Sequence, residues 1–152
     1  MWSYVANLSL KSKNKVLANG FTWLSHGTSV GRNVNFNGLR VYGRGVVEIG
    51  DNFHSGKGVA IYTQSHNYCG DAIPYDSSLR LYQIQIHDNV WLGDNVTIVG
   101  NVTIGEGAIV QVGSVVSANV EALQIVGGNP ARVIKKRECE HYFRLKSAGK
   151  FH

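Results

Sequence analysis

Proline is nearly missing from this chain, with two prolines against eighteen glycines in 152 residues. A proline-rich linker is thereby excluded, and turns must be made by Gly, Asn and Asp. Cysteine is as scarce: Cys69 and Cys139 have no metal-type spacing and no evident partner. Neither a disulfide framework nor a zinc finger can be built from them, and two free thiols in a reducing compartment are expected. No apolar run is long enough to span a bilayer. The opening Met1-Trp-Ser-Tyr-Val5 has no basic stretch leading into an apolar one, so the expectation is a soluble, cytoplasmic protein with no signal peptide and no membrane span. Charged residues make up only 16% and the net charge is +5. Residues 50–130 lack the basic stripe with interleaved aromatics that nucleic acid requires, which leaves small anionic ligands as the plausible charged partners. Lys11, Lys13 and Lys15 read as a solvated basic segment.

What the chain has in abundance is a repeat. Ile86, Leu92, Ile98, Ile104, Val110 and Val116 stand six apart, and Val90, Val96, Val102, Ala108, Ser114 and Val120 follow four positions behind them. Neither a helix nor an ordinary strand has that period. It fits a parallel β-helix, in which each hexad is one short strand and a turn that cannot bury its apolar residue alone. Asp88-Asn89, Asp94-Asn95, Gly100-Asn101, Glu106-Gly107 and Ala118-Asn119 supply turn chemistry once per hexad, since Asn, Asp and Gly tolerate the left-handed backbone region. Three hexads would close one triangular coil, so the fold class is all-β, a three-sided prism.

A rougher array runs upstream through Val30, Val34, Phe36, Ile49, Phe53, Ser55, Val59 and Ile61. Phe36 to Ile49 is one residue more than two hexads, which predicts a bulge or wider turn within residues 37–47. The turn-rich, non-periodic stretch after His66 predicts a loop over residues 67–83 that leaves the prism, and such loops are where function concentrates. Ile134, Tyr142, Phe143 and Leu145 among charges predict a short amphipathic helix over residues 134–148. The whole, residues 1–152, reads as one domain: an N-terminal segment (1–27), the solenoid (28–133) and that helix.

The block Ile86-His-Asp-Asn-Val-Trp-Leu-Gly93, the hexads after it, and the ending Gly127-Gly-Asn-Pro-Ala-Arg-Val-Ile-Lys-Lys136 resemble the hexapeptide-repeat acyltransferases over about residues 28–137. The ending is similar to that of the maltose, galactoside and polysaccharide O-acetyltransferases, and its Gly-Gly-Asn-Pro-Ala form to that of the xenobiotic acetyltransferases acting on streptogramins. The resemblance implies a left-handed coil, which periodicity alone does not give because ordinary parallel crossovers are right-handed. It also implies acetyl-CoA as donor, a saccharide or other small-molecule acceptor, and a homotrimer with sites between prisms. Val99, Ile109 and Val115, apolar at non-core positions, could bury against such a neighbour.

Residue by residue, His66 in Tyr62-Thr-Gln-Ser-His-Asn67 matches the family's general base. Imidazole titrates near neutrality and can take and return the hydroxyl proton as the alcohol attacks the thioester. Asn35 in Asn35-Phe-Asn37 matches an acceptor-binding asparagine, with turn capping as the plainer role for both asparagines. An acidic acceptor residue of the galactoside enzymes has no counterpart, for Tyr42-Gly-Arg-Gly45 stands in its place. Trp91 would lie near the pantetheine or thioester, or else cover a solenoid face. Val112 and Ser117 match positions that bond the pantetheine amides, and Lys135 and Lys136 would meet the phosphates, although Ala118 stands where relatives carry a lysine. Three readings follow: an O-acetyltransferase of a sugar or surface-polysaccharide precursor; an amino-sugar N-acetyltransferase or streptogramin-type O-acetyltransferase; and a zinc hydratase of the γ-carbonic anhydrase kind. The last needs a His pair five apart plus a third, whereas His54, His66 and His87 are separated by twelve and twenty-one residues. No metal site is expected.

Overall fold

Each hexad forms a strand of two to four residues and then turns, and the computed structural model describes this coil by coil for residues 4–6 and 15–152. Lys11 and Lys13 lie outside the described residues; Lys15 is exposed. After β1 (Tyr4–Ala6), one coil holds β2 (Val16–Ala18), β3 (Phe21–Trp23) and β4 (Thr28–Val30). The next holds β5 (Val34–Asn37), β6 (Arg40–Tyr42) and β7 (Val46–Ile49). In the third, β8 (His54–Lys57) and β9 (Ala60–Tyr62) are followed by an inserted hairpin, β10 (Gln64–His66) and β11 (Leu79–Leu81), before β12 (Gln83–Ile86) closes the coil. Regular hexads then give β13 (Trp91–Leu92), β14 (Thr97–Val99), β15 (Val102–Ile104), β16 (Ile109–Val110), β17 (Val115–Val116) and β18 (Gln124–Gly127). The chain ends in β19 (Arg132–Lys136) and the helix α1 (Cys139–Ser147).

Equivalent strands stack in parallel into three faces of a prism. The first face carries β2-β5-β8-β13-β16-β18, the second β1-β3-β6-β9-β14-β17 and the third β4-β7-β12-β15. Both aliphatic series point inward, so Ile86, Leu92, Ile98, Ile104, Val110 and Val116 are all buried, as are Val90, Val96, Val102 and Ala108. At the edge between the third and first faces, Asn33, Asn52 and Asn89 have φ of 54°, 54° and 59°. Their amides form a ladder, Asn33 Nδ2 donating to Asn52 Oδ1 and Asn52 Nδ2 to Asn89 Oδ1, each at 2.9 Å. Val99, Ile109 and Val115 are half-buried on the outer surface.

The extra upstream residue appears as a wide turn at Gly43–Gly45, between Tyr42 and Val46. Solenoid strands begin earlier than residue 28, since β2 and β3 already pair with β5 and β6. The helix is shorter than the amphipathic pattern predicts, because residues 132–136 pair antiparallel with β18. β18 is the last strand of its face, and an open edge is better satisfied by the chain folding back than by a helix that leaves those backbone groups unpaired. The helix starts only where Glu138 can cap it, accepting from the amides of Glu140 and His141 at 2.8 and 2.6 Å.

Ile98 has 0% relative exposure at the middle of the regular coils. Ile98→Ala should cost about 2–5 kcal/mol of unfolding free energy, read from the denaturation midpoint, because coils pinned on both sides cannot collapse into the void.

Candidate active site

The hairpin that interrupts the third coil is rooted by buried Thr63. Thr63 Oγ1 donates to the Tyr42 carbonyl at 2.8 Å and accepts from the Gly45 amide at 3.0 Å. On the returning strand the Tyr82 amide donates to the Thr63 carbonyl at 2.8 Å. The wide turn is the seat of this root: a Cβ on Gly45 would lie 2.1 Å from the Tyr82 carbonyl oxygen and 2.5 Å from that of Thr63. Thus Tyr42-Gly-Arg-Gly45 receives the root of the hairpin.

His66 ends β10 with an exposed imidazole, and the antiparallel ladder places it opposite Leu79. The loop between is knitted by its own polar groups. Asp76 accepts from the Ser78 hydroxyl and amide and from the Asp71 amide, and these bonds hold its carboxyl below the usual range. Asn67 Nδ2 donates to Ser78 Oγ at 3.1 Å. Sequence reasoning missed the antiparallel pairing of residues 79–81, whose Leu-Arg-Leu alternation was the available signal.

The other expected residues lie elsewhere on the prism. On the first face the register Asn35↔His54↔Trp91↔Ile109 sets these side chains in one outward column. Asn35 accepts from Asn19 Nδ2 at 3.1 Å. Val112 is exposed at the edge between the first and second faces, and Gly93 beneath it must stay small, since a Cβ there would lie 2.7 Å from the Val112 nitrogen. Ser117 is exposed at the edge between the second and third faces, the same edge from which the hairpin springs. Lys135 and Lys136 project from β19 rather than from a helix, with Lys136 3.6 Å from Glu121. One prism therefore groups Asn35 with Trp91, and His66 with Ser117, but puts the two groups on opposite sides.

His54, which carried no sequence signal, lies midway in the column between Asn35 and Trp91. It borders a groove of ≈ 380 Å³ that also touches Asn52, Trp91, Tyr142, Lys146 and Phe151. Burial, the neighbouring His152 and a partly offsetting backbone bond together lower the pKa of His54, which favours its neutral imidazole. The far wall is α1, anchored by Tyr142. Its hydroxyl accepts from Asn89 Nδ2 at 2.9 Å, ending the asparagine ladder, and donates to Glu106 Oε1 at 2.8 Å. Burial and the Glu106 bond push the Tyr142 pKa to about 12. Among the described residues no group of three or more His, Cys, Asp or Glu could hold a metal ion, and no helix is long and apolar enough to cross a membrane.

A six-residue inward period stacked coil on coil, interrupted at one edge by a hairpin that bears an exposed histidine, defines a hexapeptide-repeat solenoid. The family model for bacterial transferase hexapeptide (six repeats) matches residues 83–118. Three solved structures illustrate the likeness. A maltose O-acetyltransferase from Clostridium difficile 630 is 30% identical at TM-score 0.72, over 90% of this chain and 70% of that one. A hexapeptide-repeat-containing acetyltransferase of Vibrio cholerae O1 biovar eltor, complexed with acetyl coenzyme A, is 28% identical at TM-score 0.67, over 81% of this chain and 64% of that one. A galactoside acetyltransferase in complex with coenzyme A is 27% identical at TM-score 0.68, over 84% and 61%. The chain thus spans somewhat less than two thirds of the latter two. It belongs to the hexapeptide-repeat acyltransferases and has their left-handed parallel β-helix.

Burial raises the Glu106 carboxyl, but bonds from Lys146, Tyr142 and Asn89 outweigh it, so its pKa is lowered on balance. A depressed carboxyl contributes stability above its unfolded pKa and loses it as pH falls through the folded one. The docking of α1 should therefore weaken below the ordinary carboxylate range. Glu106→Gln should flatten the acid side of a Tm-versus-pH curve relative to the wild type.

Proposed function

We propose that this protein transfers an acetyl group from acetyl-CoA to a hydroxyl of a saccharide or surface-polysaccharide precursor, with His66 as general base. The observation that carries the reading is the exposed His66 imidazole at the first bend of a hairpin rooted in the solenoid. The acetyl-CoA and coenzyme A complexes of the two relatives support the donor, and the maltose enzyme supports a sugar acceptor. The imidazole takes the hydroxyl proton as the alcohol oxygen bonds to the thioester carbonyl carbon. Collapse of the resulting oxyanion breaks the carbon–sulfur bond, and the imidazolium returns the proton to the departing sulfur. The products are an ester and free coenzyme A, with no covalent enzyme intermediate.

Donor contacts are assigned to Trp91, to the backbone around Val112 and Ser117, and to Lys135 and Lys136; Asn35 contacts the acceptor. Since one prism holds His66 and the Asn35–Trp91 column on opposite sides, the complete site needs a second copy, whose first face receives the hairpin. That requirement supports a homotrimer with three equivalent sites. The half-buried Val99, Ile109 and Val115 are suited to such contacts.

The decisive assay follows coenzyme A release from acetyl-CoA against mono- and disaccharides, nucleotide sugars, amino sugars and streptogramin-type alcohols. His66→Ala should lower kcat about 10²-fold or more with donor affinity kept; an unchanged rate would remove His66 from the chemistry. A wild type that neither binds nor turns over acetyl-CoA would refute the transferase reading. The double variant Lys135→Ala with Lys136→Ala should raise the KM for acetyl-CoA several-fold and leave kcat near that of the wild type, because phosphates far from the carbonyl bind ground and transition states alike. Steady-state kinetics separates the two parameters.

A further inference from the structure

The His66 loop carries a second ring that the repeat does not account for. Tyr75 lies on the His66 imidazole with ring centroids 3.9 Å apart and planes 14° from parallel. Both residues are exposed, so the core fixes neither. Among the described residues no side-chain hydrogen bond holds the imidazole. An unsupported histidine at a hairpin tip would sample several rotamers, most of them turning its nitrogens away from any one acceptor.

The loop is built to hold the two rings together. The residues that follow them, Asn67 and Asp76, are tied directly, the Asp76 amide donating to the Asn67 carbonyl at 3.4 Å. They are tied again through Ser78, whose Oγ accepts from Asn67 Nδ2 at 3.1 Å while its amide donates to Asp76 Oδ1 at 2.9 Å. These bonds carry the backbone around residue 75 back over residue 66. A face-on stack suits this purpose because the imidazole nitrogens lie at the ring's edge. Covering one face fixes the plane and leaves both nitrogens free for a proton.

Resting on the reading of His66 as general base, we propose that Tyr75 is a positioning residue: its ring clasps the imidazole face-on and holds it in the orientation from which it takes the acceptor's proton. The contact needs an aromatic ring and not the phenolic hydroxyl. Tyr75→Phe should therefore keep the wild-type rate, while Tyr75→Ala should lower kcat about 3–10-fold, the range to which one ring pair converts. The KM for acetyl-CoA should not change. In proton NMR, the His66 ring resonances, identified by their loss in His66→Ala, should move downfield in Tyr75→Ala as the ring current over them disappears, and should stay in place in Tyr75→Phe.

An inactive His66→Ala beside a fully active Tyr75→Ala would overturn the positioning role and leave the base intact. Unmoved His66 resonances in Tyr75→Ala would overturn the stack itself. Equal losses in Tyr75→Phe and Tyr75→Ala would show that the hydroxyl acts, against the proposal. A fully active His66→Ala would overturn the base reading and the positioning role with it.

Discussion

Each coil must bring the chain back to within one strand spacing, about 4.8 Å, of the coil before it, so that backbone groups pair and every inward side chain meets its predecessor. In the regular coils this means eighteen residues per turn, as in the step from Ile86 to Ile104, which are buried one above the other on the third face. Asn52 and Asn89 occupy equivalent left-handed positions and donate amide to amide up the edge. Where the ladder ends at Asn89, the Tyr142 hydroxyl takes the place of the next rung, and so the register of the coils also locates the helix.

That rigidity is what the candidate site exploits. An insertion inside a coil would shear the stack, but one at an edge adds residues without moving either flanking strand. The hairpin uses the edge between the second and third faces, and the price is local: a wide glycine turn that leaves room for Thr63 and Tyr82. The prism supplies a fixed base, and the loop supplies the geometry around His66 from hydrogen bonds of its own. Tyr75 belongs to this second level of order, as a ring set by Asn67, Asp76 and Ser78 rather than by the core.

The solenoid was legible because its period is enforced by burial: a polar residue at Ile98 or Leu92 would break the stack, so the sequence there has little freedom. The wide turn within residues 37–47 was legible as a one-residue slip for the same reason. The reversal at residues 132–136 was not, because it answers an open strand edge, and nothing within Arg-Val-Ile-Lys-Lys marks an edge. His54 was invisible since its place beside Asn35 and Trp91 depends on residues nineteen and thirty-seven positions away coming into register. The His66–Tyr75 stack was hidden for a related reason: it depends on hydrogen bonds inside a loop without a period. His66 enters as a candidate base through family resemblance, with the break in the repeat as the physical clue.

A working site that joins the His66 hairpin of one copy to the Asn35–Trp91 face of another can be read by subunit complementation. Chains carrying His66→Ala would be co-expressed with chains carrying Trp91→Ala and the mixed assemblies assayed beside each parent. Both parents should be impaired and the mixture should regain activity, since some sites then pair an intact hairpin with an intact face. A mixture no more active than the average of its parents, or a Trp91→Ala parent as active as wild type, would contradict it.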